Sequence, residues 1–189
     1  MGVAVLLSTL TVSWAFLTRN GTTISGIADN PADLNEKYSQ LYKKKFQMAY
    51  SGSDGVDIRS SPGKSKLGTL FSQEAIVLSL SEKARMVGGA PWIKVKISGW
   101  MVKQSGVKQY ITQLESSSGA ISANDDDSVN MRFDSKLNAE KIAHVYNSTI
   151  IEILEKSQLQ GREWARVELV GWMAIDSYKG LPLLRQVYR

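Results

Sequence analysis

The feature that most constrains this chain is a sentence written twice. Pro91-Trp92-Ile93-Lys94-Val95-Lys96-Ile97-Ser98-Gly99-Trp100-Met101 returns 72 residues later as Glu163-Trp164-Ala165-Arg166-Val167-Glu168-Leu169-Val170-Gly171-Trp172-Met173. Trp, Val, Gly, Trp and Met coincide without a gap. Upstream the echo continues with small slips: Val56-Asp57-Ile58-Arg59 matches Val129-Asn130-Met131-Arg132, and Leu67, Leu70, Ile76 and Leu78 match Ile142, Val145, Ile151 and Ile153. A unit of this length is too long for a solenoid repeat and suits one small domain. The pattern predicts two copies of one module.

Charge separates the copies. Residues 55–114 carry nine Lys or Arg against three Asp or Glu, residues 128–178 carry six against seven, and the joining 115–127 is purely acidic. The first module is therefore the cationic one, suited to an anionic lipid, nucleic-acid or acidic protein surface, or to solubility alone. The chain as a whole has a net charge of +5, 43% apolar residues and 22% charged residues, the balance of an ordinary folded protein. It has no cysteine, which excludes disulfides and thiolate metal sites but leaves the compartment open.

Gly2 to Leu17 contains no charged residue. As a helix this stretch approaches the length of a membrane span, with Trp14 near the polar exit at Arg19 and Asn20. Residues 1–18 thus read as a hydrophobic anchor. The rival readings are a cleaved secretory signal, which would leave a secreted or periplasmic protein, and a buried segment of a soluble fold. The signal reading lacks the usual basic residues ahead of the apolar run. Residues 19–54 read as an exit linker and a short amphipathic helix, with Asn30-Pro31 at its start and Leu34, Tyr38, Leu41, Phe46 and Tyr50 at roughly helical spacing. From Val56 onward short apolar runs alternate with turn compositions, predicting strands at Val56–Ile58, Gly68–Phe71, Ala75–Leu80, Ile93–Ile97 and Trp100–Val102. Residues 115–127 read as an acidic polar linker and 179–189 as a tail that docks on the fold or on a neighbour.

In order, Val56-Asp57-Ile58-Arg59-Ser60-Ser61-Pro62, Leu67-Gly68-Thr69-Leu70, the apolar Ala75–Leu80, Trp92 with Val95, and Gly99-Trp100 resemble the bacterial-type Src-homology-three domain, a small β-barrel of five to six strands. The resemblance covers nearly all of 55–104. The second copy keeps Trp164, Val167, Gly171 and Trp172 but departs at its start, where Asp134-Ser135 replaces the Ser-Pro turn and Ala143 the glycine. It implies a mainly β fold with two small barrels in tandem, over 55–114 and 128–178. It further implies a mostly non-catalytic family that binds proteins or cell-wall peptide.

Side chains alternate across a strand, so Val95 and Ile97 point inward while Trp92, Lys94 and Lys96 point outward; Val167 and Leu169 likewise oppose Trp164, Arg166 and Glu168. Trp92, Lys94 and Lys96, with Trp164 and Arg166, are the candidate binding residues, because aromatic and cationic groups concentrate interface energy. A structural role, covering a barrel end, is the competing reading for Trp92. Gly99 and Gly171 are expected to make tight turns, and Trp100 and Trp172 to help close each barrel.

No catalytic constellation emerges. His144 is the sole histidine, which argues against a zinc site; no Gly-x-Ser-x-Gly elbow is present; Gly88-Gly89 reads as a hairpin turn, not a phosphate loop. Asp125 to Asp127 lack the spacing of a calcium loop. Asn20-Gly21-Thr22 and Asn147-Ser148-Thr149 have the form of glycosylation sequons. No enzyme activity, cofactor, metal or small-molecule substrate is expected, and nucleic acid is not favoured as a partner. The sequence points to a non-catalytic, membrane-anchored interaction protein whose barrels dock onto partner proteins. Its expected place is that of an accessory or assembly subunit of a larger membrane complex, a photosynthetic or respiratory one being a fitting setting. The alternative is a bacterial envelope protein that binds peptidoglycan.

Overall fold

The computed structural model describes residues 37–123 and 127–188. The expected anchor, the linker up to residue 36, the Asn20 sequon and Asp125-Asp126 lie outside the described residues. Among the described residues no helix is long and apolar enough to cross a membrane.

Two long strands organise the molecule. Strand β6 runs from Ala90 to Ser105 and β13 from Arg162 to Ala174. Each holds one Trp motif, and they pair antiparallel along almost their whole length. Alternation is as expected in the first motif: Ile93, Val95 and Ile97 are buried, while Lys94 is exposed and Trp92 and Lys96 are half-exposed. The register sets Ile97 opposite Leu169, residues that the 72-residue offset equates. Lys96 opposite Val170 and Ser98 opposite Glu168 follow on either side, so the pairing reads the same from both ends.

Four shorter strands complete a closed barrel: β2 (Val56–Arg59), β3 (Lys66–Leu70), β10 (Ser128–Arg132) and β11 (Lys141–Tyr146). The ring runs β6-β10-β11-β3-β2-β13 and back to β6. It closes where Trp100 meets Arg132 and where Trp172 meets Arg59. On the far side Thr69 faces His144, another pair that the repeat equates. Ile58, Leu70, Val95, Met101, Met131, Val145, Val167 and Met173 fill the interior, each fully shielded.

This corrects the expectation of two barrels in tandem: three strands from each half interlock in one. The physical reason lies at Ser98-Gly99 and Val170-Gly171. The backbone stays extended there, so each strand continues into the sheet of the other half, β6 to β10 and β13 to β2. Gly99 and Gly171 are thus inside strands, not in turns. Their value is closeness: a Cβ at Gly99 would sit 2.5 Å from Met131 Cγ and 2.9 Å from the Arg132 carbonyl oxygen. One at Gly171 would sit 2.5 Å from Ile58 Cγ2 and 3.1 Å from the Arg59 carbonyl oxygen. Each glycine admits the opposite half's opening strand.

Outside the ring the sheet continues as two wings. The first carries β4 (Val77–Ser79), β1 (Lys45–Met48) and β14 (Leu184–Val187), joining the two ends of the described chain. The predicted amphipathic helix is therefore corrected over residues 38–50. Gln40 (φ 54°) and Lys43 (φ 59°) take left-handed backbone that ends any helix, and Phe46 and Met48 are buried at strand spacing. Tyr38 is tied to the C-terminal side by its hydroxyl, which donates to Asp176. The second wing carries β12 (Ile150–Leu159), β9 (Ser118–Ile121) and β8 (Ile111–Gln113). Hence 115–127 is not a simple linker: β9 is paired on both sides. Two short strands, β5 (Arg85–Val87) and β7 (Lys108–Gln109), fold back on the two ends of β6.

The Asn147 sequon is structural. The Asn147 amide clasps Ala123 twice, accepting from its N–H at 2.8 Å and donating to its carbonyl at 3.2 Å. Buried Thr149 donates to the Leu67 carbonyl at 3.0 Å.

Candidate functional site beside Trp92

Trp92 stands at the last rung of the β6–β13 ladder, opposite Ala174. Beyond that rung β13 ends and the chain leaves into the loop leading to β14. One side of the indole is therefore open, and a groove of about 670 Å³ lies against it. The β5–β6 hairpin positions the ring from the other side: Gly88 (φ 61°) and Gly89 (φ 77°) form the two-residue turn, and Trp92 Nε1 donates to the Val87 carbonyl at 3.3 Å. This fixes the indole edge while its face remains available.

Tyr50, from the loop before β2, and Tyr178, from the loop after β13, complete an aromatic lining. Tyr178 is 72% exposed. The floor near β2 is ionic. Asp57 is held by Arg59 at 2.6 Å and by Lys66 at 2.6 Å, and Arg59 also donates to the Lys64 carbonyl at 2.8 Å. Burial alone would lower the Lys66 ammonium, but the bond to Asp57, with smaller help from Tyr146, outweighs it and raises its pKa. Tyr50 donates to Asp54 at 2.8 Å, and that bond to a carboxylate raises the phenol's pKa. Both acids in the groove are thus already engaged.

The other expected site residues divide. Lys94 is exposed and follows Trp92 on the same face. Lys96 turns away from the groove and bonds both carboxylate oxygens of Glu168 at 2.9 Å, with Ser98 adding a bond at 3.0 Å. Burial raises the Glu168 carboxyl, yet the bonds from Lys96 and Ser98 together bring it below its ordinary value. Arg166 is exposed and lies 3.8 Å from Glu155.

Trp164 is a correction. It is fully enclosed, with 0% exposure, and presents no face to a partner; its indole N–H has no hydrogen-bond partner. Past the bulge at Trp164 the pairing continues through Glu163–Gln104 and Arg162–Ser105, so the second indole lies inside the sheet where the first lies at its end.

Sequence reasoning found Trp92 but missed its companions. Tyr178 is brought in by the chain reversal after β13, where Gly180 (φ 74°) marks a turn but not where that turn lands. Asp57 and Arg59 were legible as two charges on one strand face, since Val56 and Ile58 alternate inward.

His144 lies apart, half-buried, its ring edge-on to Phe71 at 4.7 Å; burial, then the Lys141 charge, lowers its pKa. Among the described residues no group of three or more His, Cys, Asp or Glu is placed to hold a metal ion. Comparison with protein-family models, curated proteins and solved structures finds no match for this chain.

Proposed function

We propose that this protein is a non-catalytic interaction protein that docks onto partner proteins through the groove beside Trp92. It acts as an accessory or assembly subunit at a membrane. The observation that carries this reading is the groove itself: a fixed, half-exposed indole with two tyrosines beside it, at the end of the β6–β13 ladder. Aromatic anchors of this kind dominate binding energy at protein interfaces. The ionic groups in the groove are locked in pairs, which suits a recognition surface more than proton transfer. Membrane attachment belongs to the same reading through residues 2–17, whose apolar sequence supports it. The sequence motifs of residues 55–104 that resemble the bacterial Src-homology-three family add support for a binding module.

The test is isolation of the full-length chain from its native membrane in mild detergent. A stoichiometric partner that is lost with Tyr178→Ala supports the reading. Isolation of the chain alone, or its retention on purified cell wall in place of a protein partner, overturns it.

A further inference from the structure

The two wings are alike in fold and opposite in charge. Read from its two ends, the sheet runs β14-β1-β4-β6 and β8-β9-β12-β13, so each strand of one wing has a counterpart in the other. The segments that build the first wing, residues 37–48, 75–85 and 184–188, carry seven Lys or Arg against one acid, Glu82. Those of the second, residues 111–123 and 150–159, carry one Lys against three Glu. The same strand arrangement is thus built with an acidic surface, so the arrangement does not require the cations of the first wing. Their place is in what that wing meets.

The cations gather where residues 38–44 lie along the connection from β4 to β5. The Leu41 N–H donates to the Glu82 carbonyl at 2.7 Å, the Lys43 N–H to the Ser79 carbonyl at 2.9 Å, and the Ala84 N–H to the Tyr38 carbonyl at 2.9 Å. This sets Lys43 and Lys44 beside Lys83. Lys94 follows on the next strand, where its carbonyl accepts from the Leu80 N–H at 2.8 Å. All four side chains are exposed, and none forms an ion pair among the described residues. Tyr42 stands among them, 52% exposed, with the Lys43 ammonium 5.4 Å from its ring centre. With Lys83 it borders a shallow concavity of about 440 Å³. An exposed tyrosine among lysines suits a membrane–water boundary, the ring at headgroup depth and the ammonium groups on lipid phosphates. The apolar residues 2–17 join the described chain at this same corner, through Lys37.

From this geometry, and resting on the membrane attachment proposed above, we infer that the corner formed by Tyr42, Lys43, Lys44, Lys83 and Lys94 rests on the headgroups of anionic lipids. The ammonium groups meet the phosphates singly, and the tyrosine ring enters the headgroup layer. The second wing, at the opposite end of the sheet and of opposite charge, makes no such contact. The charge difference between the wings therefore orients the barrel on the bilayer.

The experiment places the full-length, nitrogen-labelled chain in nanodiscs of phosphatidylcholine, with or without phosphatidylglycerol, each holding a trace of lipid with a gadolinium-bearing headgroup. The expected result is faster relaxation of the Tyr42, Lys44 and Lys83 amide signals than of those of Glu152, Glu155 and Lys156. It is seen only with phosphatidylglycerol and is weakened by added salt. Lys43→Gln, Lys44→Gln and Lys83→Gln should each lower the ratio of docked to free barrel about fivefold, the weight of one lysine at an anionic surface. Glu152→Gln combined with Glu155→Gln should leave the ratio unchanged, and unaltered Ile97 and Leu169 signals show that each variant is folded. Equal relaxation of both wings, the same relaxation without phosphatidylglycerol, or indifference to all three lysine variants would each overturn the proposal. So would a corner that responds to an RNA oligonucleotide and not to phosphatidylglycerol. A chain that enters the discs without docking removes this inference and leaves the membrane reading standing; a chain that does not enter them removes both.

Discussion

Trp92 and Trp164 occupy equivalent places in the repeat and opposite places in the molecule. Both begin a motif with the same inward valine three residues along, and both lie on the shared β6–β13 ladder. Trp92 ends the ladder, keeps one hydrogen bond to Val87 and borders a groove. Trp164 lies two rungs in from the end of the ladder, is fully enclosed and leaves its N–H unpaired. The lesson is that the same motif yields a half-exposed indole in one copy and a fully enclosed one in the other.

The sharpest way to break this comparison is to truncate each ring. Trp164→Ala is expected to cost about 3–5 kcal/mol, as for a fully buried large side chain, and Trp92→Ala roughly half as much or less. Denaturant midpoints measure both. Equal losses would show that the two ends are packed alike.

Next in size is the closeness of the two halves at their glycines. Gly99→Ala and Gly171→Ala each drive a methyl toward a carbonyl of the opposite half, and each is expected to lose about 1–3 kcal/mol. Thermal unfolding of the two variants should agree within experimental spread. A cost at one site alone would mean that the barrel closes on one side only.

A smaller effect is expected at the Lys96–Glu168 pair, which is partly exposed and contributes on the order of 1 kcal/mol at most. Because Glu168 is held below its ordinary value of 4.5, its stabilisation is present above that pH and fades as the pH falls through the lowered folded value. Glu168→Gln should flatten that part of the stability–pH curve, and an unaltered acid limb would remove Glu168 from the account.

The smallest effect is at His144. Its folded pKa lies below the ordinary 6.5, so the fold favours the neutral ring and loses stability as the pH drops from above 6.5. His144→Thr, which copies its repeat counterpart Thr69, should remove that loss. Urea midpoints at neutral and mildly acidic pH would show it, and identical slopes for variant and parent would exclude the histidine.

The sequence was most legible where side chains alternate. Val95, Ile97, Val167 and Leu169 were placed inward from spacing alone, and so was the outward set around Trp92. It was least legible where the decision is made by something distant. Whether the chain turns at Ser98-Gly99 or continues depends on what waits beyond, here Arg132 of the opposite half. Leu34, Tyr38, Leu41 and Phe46 mimic helical spacing, yet Phe46 and Met48 obey a strand because β14 returns to pair with them. Strand β9 escaped notice because it is built from Ser118, Gly119, Ala120 and Ile121; its smallness lets Ile111 lie close, where a Cβ on Gly119 would come within 2.7 Å. In the groove, Trp92 was readable from one motif, whereas Tyr50 and Tyr178 reach it from separate ends of the fold.

The ion pair at the centre of the ladder carries one more consequence. Lys96 and Glu168 hold the same position in their respective copies, yet bear opposite charge and meet across the midpoint. Were two chains to exchange strands like with like, lysine would confront lysine and glutamate would confront glutamate. The native ladder thus brings opposite charges together at its midpoint, where a pairing of each strand with its own copy would set equal charges side by side.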